Sequence, residues 1–107
     1  MIEEFNINVS ENDLSNINLK IKNYPWSSIE DMEGWIHGTN KKYLKELCDY
    51  WTADFNWKKH EKLINDFSNF KTNVDGIDIH FIEEKGSGKD PKPLLLMHGW
   101  PGSIVEF

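Results

Sequence analysis

The sequence predicts an α+β fold, with helices through the first two thirds of the chain and strands in the last third. Three observations carry this. Apolar residues recur at helical spacing between Leu14 and Phe67, Asp75-Gly76 separates two alternating runs as a hairpin turn would, and Leu94-Leu95-Leu96-Met97 is a continuous apolar run that stops at a Gly/Pro-punctuated loop. At 107 residues the chain is one domain at most, able to bury a modest core.

The first element starts with its own punctuation. Ser10 precedes Glu11, Asn12 and Asp13, a capping residue followed by acids in the first turn, and Val9 with Leu14 has the spacing of a hydrophobic staple. Leu14, Ile17 and Ile21 mark one face and Pro25 forces an end, so the spacing predicts a helix over 11–22. Residues 24–38 have no periodicity and carry Pro25, Trp26, Gly34 and Trp35, which reads as an irregular loop anchored by its aromatic rings.

Thr39 is the expected N-cap of a second helix, on which Tyr43, Leu47, Tyr50 and Trp51 fall at i, i+4, i+7 and i+8 and form a face that something must cover. A third helix is expected after Asn56. Trp57, His60, Leu63, Ile64 and Phe67 give it a looser stripe reaching toward Phe70, with Lys58, Lys59, Glu61 and Lys62 on the solvated side.

The hairpin is the best-defined local structure. A two-residue Asp75-Gly76 turn sets Val74 opposite Ile77, Thr72 opposite Ile79 and Phe70 opposite Phe81, while Lys71, Asn73, Asp78 and His80 make a polar face. That pattern fits a half-exposed pair at a sheet edge. Residues 86–91 then lead to a third strand, 93–97, which reads as buried on both faces.

The loop after that strand, His98-Gly99-Trp100-Pro101-Gly102-Ser103, is where chemistry would sit. Gly99 lets backbone approach a ligand, and Pro101 fixes its own φ and restrains Trp100 toward extended geometry. Pro101 carries no N–H, so the donors able to face a developing negative oxygen are those of Gly99, Trp100 and Gly102. Ser103 lies outside any G-x-S-x-G elbow, its flanking positions being Pro101 and Val105, and reads as a helix N-cap or turn serine.

Composition excludes several functions. The net charge of −6 and the lack of a basic stripe argue against nucleic acid and anionic membranes. No apolar stretch approaches a membrane span, and the first residues lack a signal-peptide pattern. His37, His60, His80 and His98 have no ligand spacing, and Cys48 has no second cysteine to join it, so no metal and no disulfide is expected. Cys48 reads as a small hydrophobe in a reducing, cytoplasmic compartment. Gly86-Ser87-Gly88-Lys89 is not a phosphate loop, because Glu83 and Asp90 stand where that motif needs Gly and Ser or Thr. No cofactor is expected.

From Phe5 to Phe107 the chain resembles the N-terminal region of the microsomal and juvenile-hormone type epoxide hydrolases, which are α/β-hydrolases. The residues that carry the resemblance are Phe5-x-Ile7-x-Val9-Ser10, Tyr24-Pro25-Trp26, Gly34-Trp35-x-x-Gly38-Thr39, Tyr43-Leu44-x-Glu46-Leu47-x-x-Tyr50-Trp51, Phe55-x-Trp57, Asp75 to Phe81 and His98 to Ser103. The resemblance implies a helical lasso over 1–69, then, over 70–107, the first strands and oxyanion loop of an α/β-hydrolase sheet. It implies a Trp100 backbone N–H in the oxyanion hole, supported by His98, Gly99 and Pro101, with a cis Trp100–Pro101 bond. It also implies that the aspartate nucleophile, the water-activating histidine with its acidic partner, and the cap tyrosines lie beyond Phe107.

Two functional expectations follow. In the first, the chain is an α+β fragment: the N-terminal portion of an enzyme that turns a small-molecule epoxide and water into a vicinal diol, with helices that brace the cap region. In the second, it is a non-catalytic fragment or docking module that binds a catalytic core or itself. In both, the 107 residues alone are inactive.

Overall fold

The computed structural model describes residues 1–32 and 34–107. It holds β1 (Ile2–Glu4), α1 (Glu11–Lys22), a 3-10 turn (Trp26–Ser28), α2 (Lys41–Ala53), α3 (Trp57–Asn65), β2 (Asn69–Val74), β3 (Ile77–Ile82) and a last 3-10 turn (Ile104–Glu106). The three strands form one antiparallel sheet in the order β1-β2-β3. The chain divides into two compact units, Val9–Trp57 and the remainder.

In the unit Val9–Trp57, α1 has the limits its punctuation predicts. Ser10 Oγ accepts from the Asp13 N–H at 3.1 Å, and the helix ends at Lys22, just before Asn23 and Pro25. The second helix differs by one residue: Asn40, not Thr39, is the N-cap, its Oδ1 accepting from Tyr43 N–H at 3.0 Å. An amide serves better than a hydroxyl here because Asn40 Nδ2 also donates to Gly34 O at 3.2 Å, tying the preceding loop to the helix. Lys41 Nζ donates to Ile29 O at 2.7 Å, and the Trp35 ring lies 5.1 Å from that of Tyr43. These contacts anchor the irregular loop. The face of Tyr43, Leu47, Tyr50 and Trp51 stays exposed.

In the other unit, the hairpin has the expected register, Val74↔Ile77, Thr72↔Ile79 and Phe70↔Phe81, with the Phe70 and Phe81 rings stacked at 5.6 Å. Asp75 and Gly76 both have positive φ, 51° and 85°, as a turn matching the twist of its strands requires. The helix before it is shorter than the apolar stripe suggested. It stops at Asn65, so Phe67 and Phe70 lie outside it, because Phe67 N–H closes a tighter turn on Ile64 O and Asn69 opens β2.

The third strand of the sheet is not 93–97. Those residues are exposed and belong to no strand, since a strand buried on both faces needs a neighbour on each side and the described residues supply none. The third strand is Ile2–Glu4, which pairs with β2 through Ile2↔Thr72, Glu3↔Lys71 and Glu4↔Phe70. Nothing local in Ile-Glu-Glu marks a strand; distant residues impose it.

Side-chain amides do the imposing. Asn65 Nδ2 donates to Ile7 O at 2.8 Å while its Oδ1 accepts from Ile7 N–H at 2.9 Å, so one side chain satisfies both main-chain groups of a residue 58 positions away. Asn69, one of the two buried polar residues among those described, donates from Nδ2 to Ile64 O and Phe67 O, both at 2.8 Å. Its Oδ1 is therefore an acceptor, and the His80 Nε2 at 2.8 Å must carry the hydrogen. Glu61, the other buried polar residue, is met by Lys58 Nζ at 2.9 Å, which also reaches Asn8 Oδ1 at 3.3 Å. No hydrophobic side chain among the described residues is buried.

His80 is half-buried, in keeping with a half-exposed hairpin, but its face is not covered by polar groups alone. The Phe5 ring packs edge-on against it at 5.0 Å, with Lys71 Nζ 4.2 Å from that ring's centre. Burial, and after it the Lys71 charge across the sheet, push the imidazole below its ordinary value of 6.5.

Two predictions follow from this corner. Asn69→Ala leaves two carbonyls and an imidazole N–H without partners and is expected to lower the unfolding free energy by about 1–3 kcal/mol in urea titrations followed by tryptophan fluorescence. For His80 the folded chain holds the proton less tightly than the unfolded one. Its contribution is thus present above pH 6.5 and lost as pH falls through the lowered folded value. His80→Gln, which keeps a donor toward Asn69, is expected to flatten that dependence; an unchanged pH profile would refute the assignment.

Candidate functional site

The loop from His98 to Ser103 lies between the unpaired apolar run and the last 3-10 turn, and its own atoms fix it. Ser103 has extended backbone, φ −153° and ψ 168°, and caps the turn: its Oγ accepts from Val105 N–H at 3.2 Å. Glu106 closes a capping box, with Oε1 accepting from Ser103 N–H at 3.2 Å. Ser103 is thus the N-cap its sequence suggests. Glu106 is a residue that sequence reasoning passed over, although Ser-x-x-Glu at 103–106 is the legible signature of this box.

Gly102 sits where no larger residue fits. A β-carbon there would lie 2.7 Å from the Gly99 carbonyl oxygen and would collide with the Glu106 carboxylate. The Gly99 oxygen is held from another side as well: His98 Nδ1 lies 3.0 Å from it, and since a carbonyl only accepts, the ring nitrogen donates.

That bond sets a direction. The Gly99 carbonyl and the Trp100 N–H belong to one planar trans peptide unit, so they point opposite ways. Pinning the carbonyl with the His98 ring therefore aims the Trp100 N–H away from that ring. The Trp100–Pro101 bond is cis.

Among the described residues, the N–H groups of Gly99, Trp100 and Gly102 donate to no protein atom, and Trp100 is in no helix. These are the three donors that the sequence singled out. The structure brings His98, Gly99, Gly102, Ser103 and Glu106 together, while the Trp100 side chain is 98% exposed and takes no part. Leu94, Leu95 and Met97 before the loop and Val105 and Phe107 after it are also exposed.

Elsewhere the described residues offer little. A cavity of about 250 Å³ lies in the loop before α2, lined by Ile29, Met32, His37 and Lys41 among others, but Lys41 already spends a hydrogen bond on Ile29 O. No group of His, Cys, Asp and Glu among the described residues could hold a metal ion, and no helix among them is long and apolar enough to cross a membrane.

Comparison with known proteins gives this geometry a context. Epoxide hydrolase 1 of Oryctolagus cuniculus is 36% identical over 110 residues, covering 99% of this chain and 24% of its own length. Juvenile hormone epoxide hydrolase 1 of Ctenocephalides felis is 35% identical over 109 residues, with the same coverage. The chain thus spans about a quarter of the length of the curated relatives it matches.

Among solved structures, juvenile hormone epoxide hydrolase from the silkworm Bombyx mori superposes with a TM-score of 0.87 at 33% identity, over 100% of this chain and 26% of that one. The epoxide hydrolase of Aspergillus niger gives 0.85 at 25% identity, over 100% of this chain and 29% of its own. The family model described as the epoxide hydrolase N terminus matches residues 2–107, nearly the whole sequence, and the chain belongs to that family.

Proposed function

We propose that this chain is the N-terminal portion of an enzyme that hydrolyses a small-molecule epoxide to a vicinal diol, and that its loop 98–103 supplies one oxyanion donor, the Trp100 N–H. The observation that carries the reading is the unclaimed Trp100 amide in a peptide unit whose other end is pinned by His98.

In the proposed reaction a carboxylate from outside these residues attacks an epoxide carbon, the C–O bond breaks, and the alkoxide takes a proton from an acid, leaving a hydroxyalkyl ester. Activated water then adds to the ester carbonyl, whose electron pair moves onto oxygen. Trp100 N–H donates to that oxyanion until the diol leaves as the carboxylate re-forms. A donor fixed before the charge appears needs no reorganisation when it does, and one such donor contributes about 2.7–4 kcal/mol to the transition state.

The uncovered apolar residues fit the same reading. Leu94 to Met97 would become the next strand of an α/β-hydrolase sheet once flanking strands are present, and the exposed face of α2 would pack on the remainder of the enzyme. A docking module without hydrolase activity is the second reading, favoured by those uncovered faces alone.

Activity measurements separate the two. The purified 107-residue chain is expected to form no diol from styrene oxide above the buffer rate. A chimera in which residues 1–107 replace the matching segment of the Bombyx mori enzyme is expected to hydrolyse juvenile hormone. In that chimera Gly102→Val is expected to lower kcat by about 10²–10³, the value of one lost oxyanion donor. An inactive chimera, or a Val variant with undiminished kcat, would defeat the reading.

A further inference from the structure

We infer that Glu106 is a positioning residue: its carboxylate, by accepting from Ser103 N–H and standing against Gly102, holds the oxyanion loop in register. This rests on the proposed role of the Trp100 amide and adds a residue to it.

The geometry runs in a short chain of contacts. The Glu106 Oε1 accepts from Ser103 N–H at 3.2 Å, and the Glu106 N–H returns to Ser103 O at 3.2 Å, so residues 103 and 106 are tied twice. The same carboxylate oxygen and the Gly99 carbonyl oxygen both crowd the side of Gly102 on which a β-carbon would stand. That carbonyl shares a peptide plane with the Trp100 N–H. His98 holds the plane from one direction, and the Glu106 carboxylate fills the space beside Gly102 that the Gly99 carbonyl also faces. Remove the carboxylate and Gly102 gains room to shift, and the plane can rotate. A donor displaced by about 1 Å loses on the order of 10²-fold in rate, so a residue that never touches substrate can act on kcat.

One carboxylate oxygen is occupied by a main-chain N–H, a bond that a neutral amide oxygen of the same reach can also accept. What the loop needs from Glu106 is an acceptor oxygen at the reach of a glutamyl side chain, not its charge.

Substitution separates reach from charge. In the chimera, Glu106→Ala and Glu106→Asp are expected to lower kcat by about 10- to 100-fold with KM changed less than about twofold, and Glu106→Gln, which keeps both length and acceptor, to restore most of it. Glu106→Asp keeps the charge and falls short of Ser103, so it reports on reach even where the alanine variant folds poorly. In the 107-residue chain, amide exchange at Ser103 is expected to speed up about 2- to 10-fold on Glu106→Ala.

Ser103 exchange that is unprotected in the parent, or unaltered by the substitution, overturns the inference. So does kcat that is retained in the aspartate variant or lost equally in the glutamine variant. If Gly102→Val has no effect on kcat the oxyanion reading fails by itself, while the exchange measurement still judges the Glu106 contact.

Discussion

Two side-chain amides, those of Asn65 and Asn69, hold the corner where α3 gives way to β2, and through it the first eight residues of the chain. An amide is suited to this because it carries a donor and an acceptor spaced like those of the main chain it meets, so Asn65 meets Ile7 as a β-bridge partner would. Asn69 extends the arrangement inward by satisfying two carbonyls at the end of the helix and ordering the His80 tautomer. With no hydrophobic side chain buried among the described residues, this polar satisfaction defines where β1 lies. Phe5 N–H donating to Asn69 O at 2.9 Å carries the pairing one residue past the strand.

The loop 98–103 follows a similar logic at smaller scale. Its conformation comes from short-range contacts: a ring nitrogen on a neighbouring carbonyl, a capping box, and a glycine where a β-carbon has no room. Such a loop can keep its shape without being buried, and under the proposed function that leaves its amides available. Preorganisation of this kind contributes to rate only when the remaining groups of a site are brought to it.

What the sequence made legible divides by the range of the interactions. The α1 boundaries are set by Ser10 and Pro25, residues within or beside the helix, and the hairpin register by Asp75-Gly76 between its strands; both could be read locally. The N-cap of α2 was misread by one position because Thr39 and Asn40 are both capping residues, and what favours Asn40 is its bond to Gly34 O. β1 was invisible, since its partners lie some 68 residues along the chain and Ile-Glu-Glu has no strand pattern. The apolar run 94–97 has the composition of a buried strand, but composition does not name a neighbour, and none of the described strands pairs with it. For the site, the loop was visible from its Gly and Pro residues, whereas the place of Glu106 depended on a close approach that only coordinates reveal.

That no hydrophobic side chain is buried among the described residues also has a calorimetric meaning. Heat-capacity change on unfolding grows with the apolar surface newly exposed to water, and a chain in which many leucines, tyrosines and tryptophans already face solvent has less left to expose. Its stability curve against temperature is accordingly flattened, its melting broadened and its denaturant slope made shallower than those of a globular domain of the same length with a buried apolar core.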